Sequence, residues 1–206
     1  MISHKHQCIF VHIPRCGGTS LEDVIWPGPR DEASLWMGFI SKYQNKYQTG
    51  GLQHLFATHI RREVGDDVFK RYFKFSVIRN PWDRTVSQFS YMSGRSDLRE
   101  YIGMKESASL KDYLGLIGRR VHVQWEQQHK FVMDEHGELM VDFLGRFEHF
   151  KRDAAEILHR LNIMAEVPHT NAAPHRPFSE YYDREAIEMV ADLYRDVIRL
   201  FDYSFS

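Results

Sequence analysis

Apolar and polar positions divide the chain into short units separated by turns rich in Gly and Pro. Residues 8–13 (CIFVHI) form a mostly apolar, β-prone run that predicts a buried strand. PRCGGTS interrupts it, and residues 19–26 (TSLEDVIW) resume with helical spacing. Residues 73–78 (FKFSVI) predict a second strand, followed by RNPWDRTVSQFSYM. There Asn80 suits an N-cap and Pro81 a first helical residue, so a helix is expected to begin at that point. Between the two units lies a stretch rich in Gln, Tyr and Gly (residues 41–53), leading into LFATH, which reads as a short strand. KFVMD and ELMVDF flank EHG and predict a hairpin. Residues 151–161 place Ala154, Ile157, Leu158 and Leu161 on one helical face, and residues 183–201 do the same with Ile187, Val190, Tyr194, Val197 and Phe201. VPHTNAAPHRPFSEYY joins those helices as a loop. The expected fold is one three-layer α/β domain over residues 1–206, with a mainly parallel central sheet.

The chain has 206 residues, enough to bury most of its surface without a disulfide or metal staple. With 43% hydrophobic and 27% charged residues, it is neither disordered nor collagen-like. Lys and Arg number 27 against 28 Asp and Glu, a net charge of −1, which excludes a general nucleic-acid surface. Any anion site must therefore be local. Cys8 and Cys16 are too few for a disulfide scaffold and read as reduced. No apolar run reaches the roughly 20 residues of a membrane span. MISHKHQCIFVHI has too short an apolar core for a signal peptide, so a soluble cytoplasmic protein is expected.

The chemistry concentrates in IPRCGGTS. A strand that ends in a Gly turn and leads into a helix aims backbone N–H groups and the positive end of the helix at one point. Gly17 and Gly18 would let the backbone approach a phosphate, Arg15 adds a cation, and Thr19 and Ser20 add hydroxyls. An ordinary strand-to-helix turn, eased by its glycines, would have the same sequence. The G-x-x-x-x-G-K-S/T string of nucleoside-triphosphate loops is absent, as is a convincing Asp on a second strand to hold magnesium. An anion bound here would be handled without a metal.

The second element is VIRNPWDRTVSQF. Arg79 would sit at the carboxyl end of a strand, where ligands bind in open α/β sheets. Ser87 follows Asn80 by about two helical turns and shares its stripe. The two could close on one phosphate; equally, Arg79 could pair with Asp83 while Ser87 packs.

Together the two elements resemble the nucleotide-binding signatures of sulfotransferases that use 3′-phosphoadenosine 5′-phosphosulfate (PAPS). The particular likeness is to the carbohydrate branch, with its I-P-K-C-G-G-T-S and R-N-P-x-x-R-x-x-S strings. Weaker similarity continues through DFLGRFEHF, HTNAAPHRPFSEYYD and LYRDVIRLFDYSF. The resemblance implies that Arg15, Cys16, Gly17, Gly18, Thr19 and Ser20 surround the 5′-phosphosulfate and that Arg79 and Ser87 bind the 3′-phosphate. Arg176 and Tyr181 match a family loop that closes near the nucleotide, although a surface loop capping the last helix reads the same way. One departure stands out: the family usually has Lys where this chain has Arg15, a planar fork in place of a point charge.

By the same resemblance His59 is the general base, with His54, His12 and Glu63 in reserve, and Arg15 the main electrostatic stabiliser. The implied reaction is in-line transfer of the sulfuryl group to a hydroxyl of a glycan or glycolipid, releasing 3′-phosphoadenosine 5′-phosphate (PAP). Arg61, Arg62, Arg119 and Arg120 could face an anionic glycan or simply solvent, and Trp82, Phe89 and Tyr91 read as core. His4, His6 and the remaining histidines lack zinc-site spacing, so no metal is expected. The alternatives are an ATP-dependent, P-loop-like phosphotransferase and a non-catalytic PAP- or nucleotide-binding protein. A homo-oligomer is compatible with either class.

Overall fold

The computed structural model describes residues 1–28, 54–167 and 176–205. Among these residues the sheet has four strands, β1 (Ile2–Ser3), β2 (Cys8–Phe10), β3 (Phe73–Ile78) and β4 (Phe143–Arg146), adjacent in that order. The β1 edge runs antiparallel to β2, while β2, β3 and β4 are mutually parallel. The expected mainly parallel sheet is the sheet found. Every residue of β2 and all but the first of β3 are buried. Strands buried at consecutive positions are covered on both faces, which is the three-layer arrangement.

Parallel neighbours need crossovers, and helices supply them. After β2 come α1 (Gly18–Ile25), α2 (Ala57–Val64) and α3 (Asp66–Arg71). After β3 come α4 (Pro81–Ser93), α5 (Ser96–Ile102), α6 (Leu110–Ile117) and the single turn α7 (His129–Val132). After β4 follow α8 (Phe150–Arg160), α9 (Arg184–Leu193) and α10 (Arg195–Phe201). No helix among the described residues is long and apolar enough to cross a membrane.

Three expectations are corrected. LFATH is not a strand: it leads into α2, whose Ala57 and Ile60 are fully buried at helical spacing. The hairpin over residues 130–143 reduces to one antiparallel bridge, Met133 with Leu139. Phe131 and Val132 are consecutive and both 0% exposed. An alternating strand would turn one of them outward, whereas the α7 turn buries both. The helix over residues 183–201 breaks at Tyr194 (φ −116°, ψ 26°), whose hydroxyl donates to the Trp125 carbonyl at 3.0 Å. Residues 41–53, and residues 168–175 of the loop before Arg176, lie outside the described residues.

Candidate active site

The site forms where β2 and β3 part. Val11 N–H still bonds the Phe75 carbonyl at 2.9 Å; beyond it the chain turns left-handed twice, at Arg15 (φ 66°) and Gly17 (φ 81°). Glycine adopts that conformation freely, whereas Arg15 holds it at a cost of about 1–2 kcal/mol. Helix α1 then begins at Gly18 with no side-chain cap and no acidic residue in its first turn. A helix start without an N-cap side chain or an acidic first turn suits an anion. Helix α4, by contrast, is closed by Asn80, whose side chain accepts from the Trp82 and Asp83 N–H groups.

Both glycines are also fixed by packing. A Cβ on Gly17 would lie 2.8 Å from Phe150, and one on Gly18 would lie 2.0 Å from His12 Nε2. The loop is pressed between aromatic rings on one side and an imidazole on the other.

Arg15 and Arg79 meet across this loop. Arg15 Nε donates to Ser87 Oγ at 3.1 Å, and its guanidinium lies 4.9 Å from the Tyr91 ring centre. Burial, and then the Arg79 charge, lower the Arg15 pKa. Arg79 is only 5% exposed, donates to both Asp83 oxygens (2.7 and 2.9 Å) and lies 4.0 Å over the Phe147 ring. Its Nη1 also donates to the Arg15 carbonyl at 3.0 Å. These contacts take one N–H from each nitrogen, and each terminal nitrogen carries a second. Arg79 therefore has its structural partner in Asp83 and donors left for a ligand. Two desolvated guanidiniums meet at the loop, and among the described residues Asp83 pairs with Arg79 alone.

Next to the loop is a cavity of about 140 Å³ lined by His12, Pro14, Arg15, Thr19, Glu22, His54, Tyr91 and Gln124. His12 Nδ1 lies 2.6 Å from Glu22 Oε1, and both residues are buried. His54 Nδ1 is 3.0 Å from the His12 carbonyl. A carbonyl only accepts, so the proton sits on Nδ1 and Nε2 is the free base nitrogen. Burial, and then the His12 charge, hold the His54 pKa well below its ordinary value, so the ring is neutral at neutral pH. Cys16, buried in the same loop, has its thiol pushed up to about 11 by burial and is no nucleophile.

The sequence matches the Sulfotransferase family over residues 1–204. The chain belongs to this family. Its fold also matches the crystal structure of a sulfotransferase from Alicyclobacillus acidocaldarius over 97% of this chain and 96% of that one, with a TM-score of 0.51 and 17% identity. A protein of Archaeoglobus fulgidus described as uncharacterized is 24% identical over 108 residues, 52% of this chain and 82% of that one. Membership of the family makes this sulfotransferase a transferase of sulfuryl groups, a class whose acceptors in general carry hydroxyls.

Within this sulfotransferase the residues singled out from sequence separate into groups. Residues 15–17 form the turn and residues 18–20 open α1, and Arg79 and Ser87 both reach Arg15. His59 is elsewhere: it is the third residue of α2, half-buried and stacked on Phe56 at 5.1 Å, and it does not line the cavity. Its pKa is lowered, first by burial and then by Arg62. Arg176 is exposed, 3.8 Å from Glu180, with its guanidinium over the Tyr181 ring at 5.6 Å. Neither Arg176 nor Tyr181 lines the cavity.

Tyr91, which reads as core, does pack partly against it and also lines the cavity under Arg15. Its place one helical turn beyond Ser87 was the available signal. Gln124 and Glu22 also line the cavity, and nothing in their local sequence marks them for it.

Proposed function

We propose that this protein transfers the sulfuryl group of PAPS to a hydroxyl of a carbohydrate or glycolipid acceptor. The observation that carries this reading is the convergence of Arg15, Arg79 and Ser87 on the uncapped start of α1. Residues 15–20 would take the 5′-phosphosulfate, and Arg79 with Ser87 the 3′-phosphate. The Arg15 side chain, now on Ser87, would turn toward the leaving phosphate.

His54 replaces His59 as the proposed base, because His54 shares the cavity with Arg15 and Thr19. The acceptor oxygen attacks sulfur, its proton passes to His54 Nε2, and the sulfur–oxygen bond to the 5′-phosphate breaks to release PAP. Positioning and charge carry the rate in such a displacement. A cavity of about 140 Å³ admits the reacting group but not a whole sugar, so the rest of the acceptor would lie outside it. Calorimetric titration with PAP, then an acceptor screen reading the gain of one sulfate by mass spectrometry, tests this. Absence of PAP binding would end the reading.

A further inference from the structure

Arg79 leaves the sheet one residue past the last β3–β4 pair, Ile78 with Arg146, while its surroundings are still buried. A buried peptide group left unpaired there costs about 1–3 kcal/mol. One side chain satisfies both of its main-chain groups. Gln128 Oε1 accepts from the Arg79 N–H at 2.9 Å, and Gln128 Nε2 donates to the Arg79 carbonyl at 2.7 Å. The same Oε1 accepts from Cys16 Sγ at 3.4 Å. Gln128, at the start of α7, is 0% exposed.

A primary carboxamide carries the donor and acceptor pattern of a peptide bond. Gln128 thus extends the ladder beside Arg79 by one surrogate residue and, through Cys16, reaches the loop that bears Arg15. It touches both phosphate-binding segments and neither charged group. We propose that Gln128 is a positioning residue of the donor site, setting the register of Arg79 against residues 15–20 and so the spacing of the groups that grip the two ends of the donor. This rests on the reading of the site as a PAPS site. Met at this position fills the volume but makes neither bond, and ionised Glu cannot donate to the Arg79 carbonyl.

The test is a double-mutant cycle on PAP affinity, measured by calorimetry, with cooperative thermal unfolding checked for each variant. The second background is Arg79→Ala with Asp83→Ala, which removes the ion pair whole. Gln128→Met is expected to raise the Kd for PAP about tenfold or more in the native background, and by about threefold or less where Arg79 is already gone. Gln128→Glu is run in the same cycle should the Met variant not fold. Equal losses in both backgrounds, unchanged affinity, or failure of both variants to fold would each overturn the proposal. A native chain that binds no PAP refutes the donor-site reading itself; additive losses in a chain that does bind PAP refute only the role of Gln128.

Discussion

Gly18→Ala is the sharpest perturbation of this loop, because the added methyl runs into a buried imidazole. The added Cβ would lie 2.0 Å from His12 Nε2, 2.2 Å from Cδ2 and 2.6 Å from Cε1, where ordinary contacts begin at 3.4 Å. The ring has nowhere to go. It stacks on Phe10 at 5.0 Å, meets His54 edge-on at 4.5 Å and sits 2.6 Å from Glu22. Overpacking of this kind costs about 1–3 kcal/mol, and displacing His12 from buried Glu22 adds to it. Against that, Ala in place of Gly in a helix returns at most about 1 kcal/mol. A net loss of about 2–4 kcal/mol is expected, a fall in Tm of roughly 5–15 °C for a chain of this size.

Urea and thermal unfolding of Gly18→Ala, His12→Ala and the double variant measure it. With His12 cut to Ala the clash is gone, so adding Gly18→Ala should then cost under about 0.5 kcal/mol. A loss below about 1 kcal/mol in the native background, or the same loss in both, would show that the loop does not depend on this contact.

Three further outcomes are expected. His54→Ala should lower kcat about a hundredfold or more while leaving the PAP Kd within about threefold, and His59→Ala should leave kcat within about threefold; steady-state kinetics that reverse this order return the base to α2. Arg79→Ala should weaken PAP binding by well over tenfold, as a desolvated charge-assisted contact is lost. It should also lower stability in denaturant titrations, because Asp83, 16% exposed, loses its partner. Adding Asp83→Ala should restore stability but not affinity.

The fourth prediction concerns pH. His54 is held neutral in the fold, with its pKa below the ordinary 6.5, while the unfolded chain takes up a proton there. Stability should therefore fall as pH drops below about 6.5, by up to about 1.4 kcal/mol per unit from this group. His54→Gln should flatten that slope in unfolding curves between pH 5 and 7; an unchanged slope would assign the effect to His6, His59 or His129, whose pKa values are lowered too.

The chain order of residues was enough to determine the two strand–turn–helix units. Phe73–Ile78 and the Asn80–Pro81 helix start are local features, written in adjacent residues by burial pattern and capping chemistry. The signature turns, with Arg15, Arg79 and Ser87, were legible for the same reason. Their bonds to one another were not, since Arg15 reaches Ser87 across 72 positions and Gln128 reaches Cys16 across 112. The choice between His54 and His59 shows the difference most plainly. The two lie five positions apart in similar local sequence, yet only one lines the cavity. That depends on α2 starting at Ala57, where packing of Ala57 and Ile60 into the core outweighed the weak local preference of LFATH for a strand. Local propensity is worth tenths of a kcal/mol per residue and burial of an Ile about 1.5–3. Tertiary burial therefore decided which histidine lines the cavity with Arg15, and which carboxamide completes the backbone of Arg79.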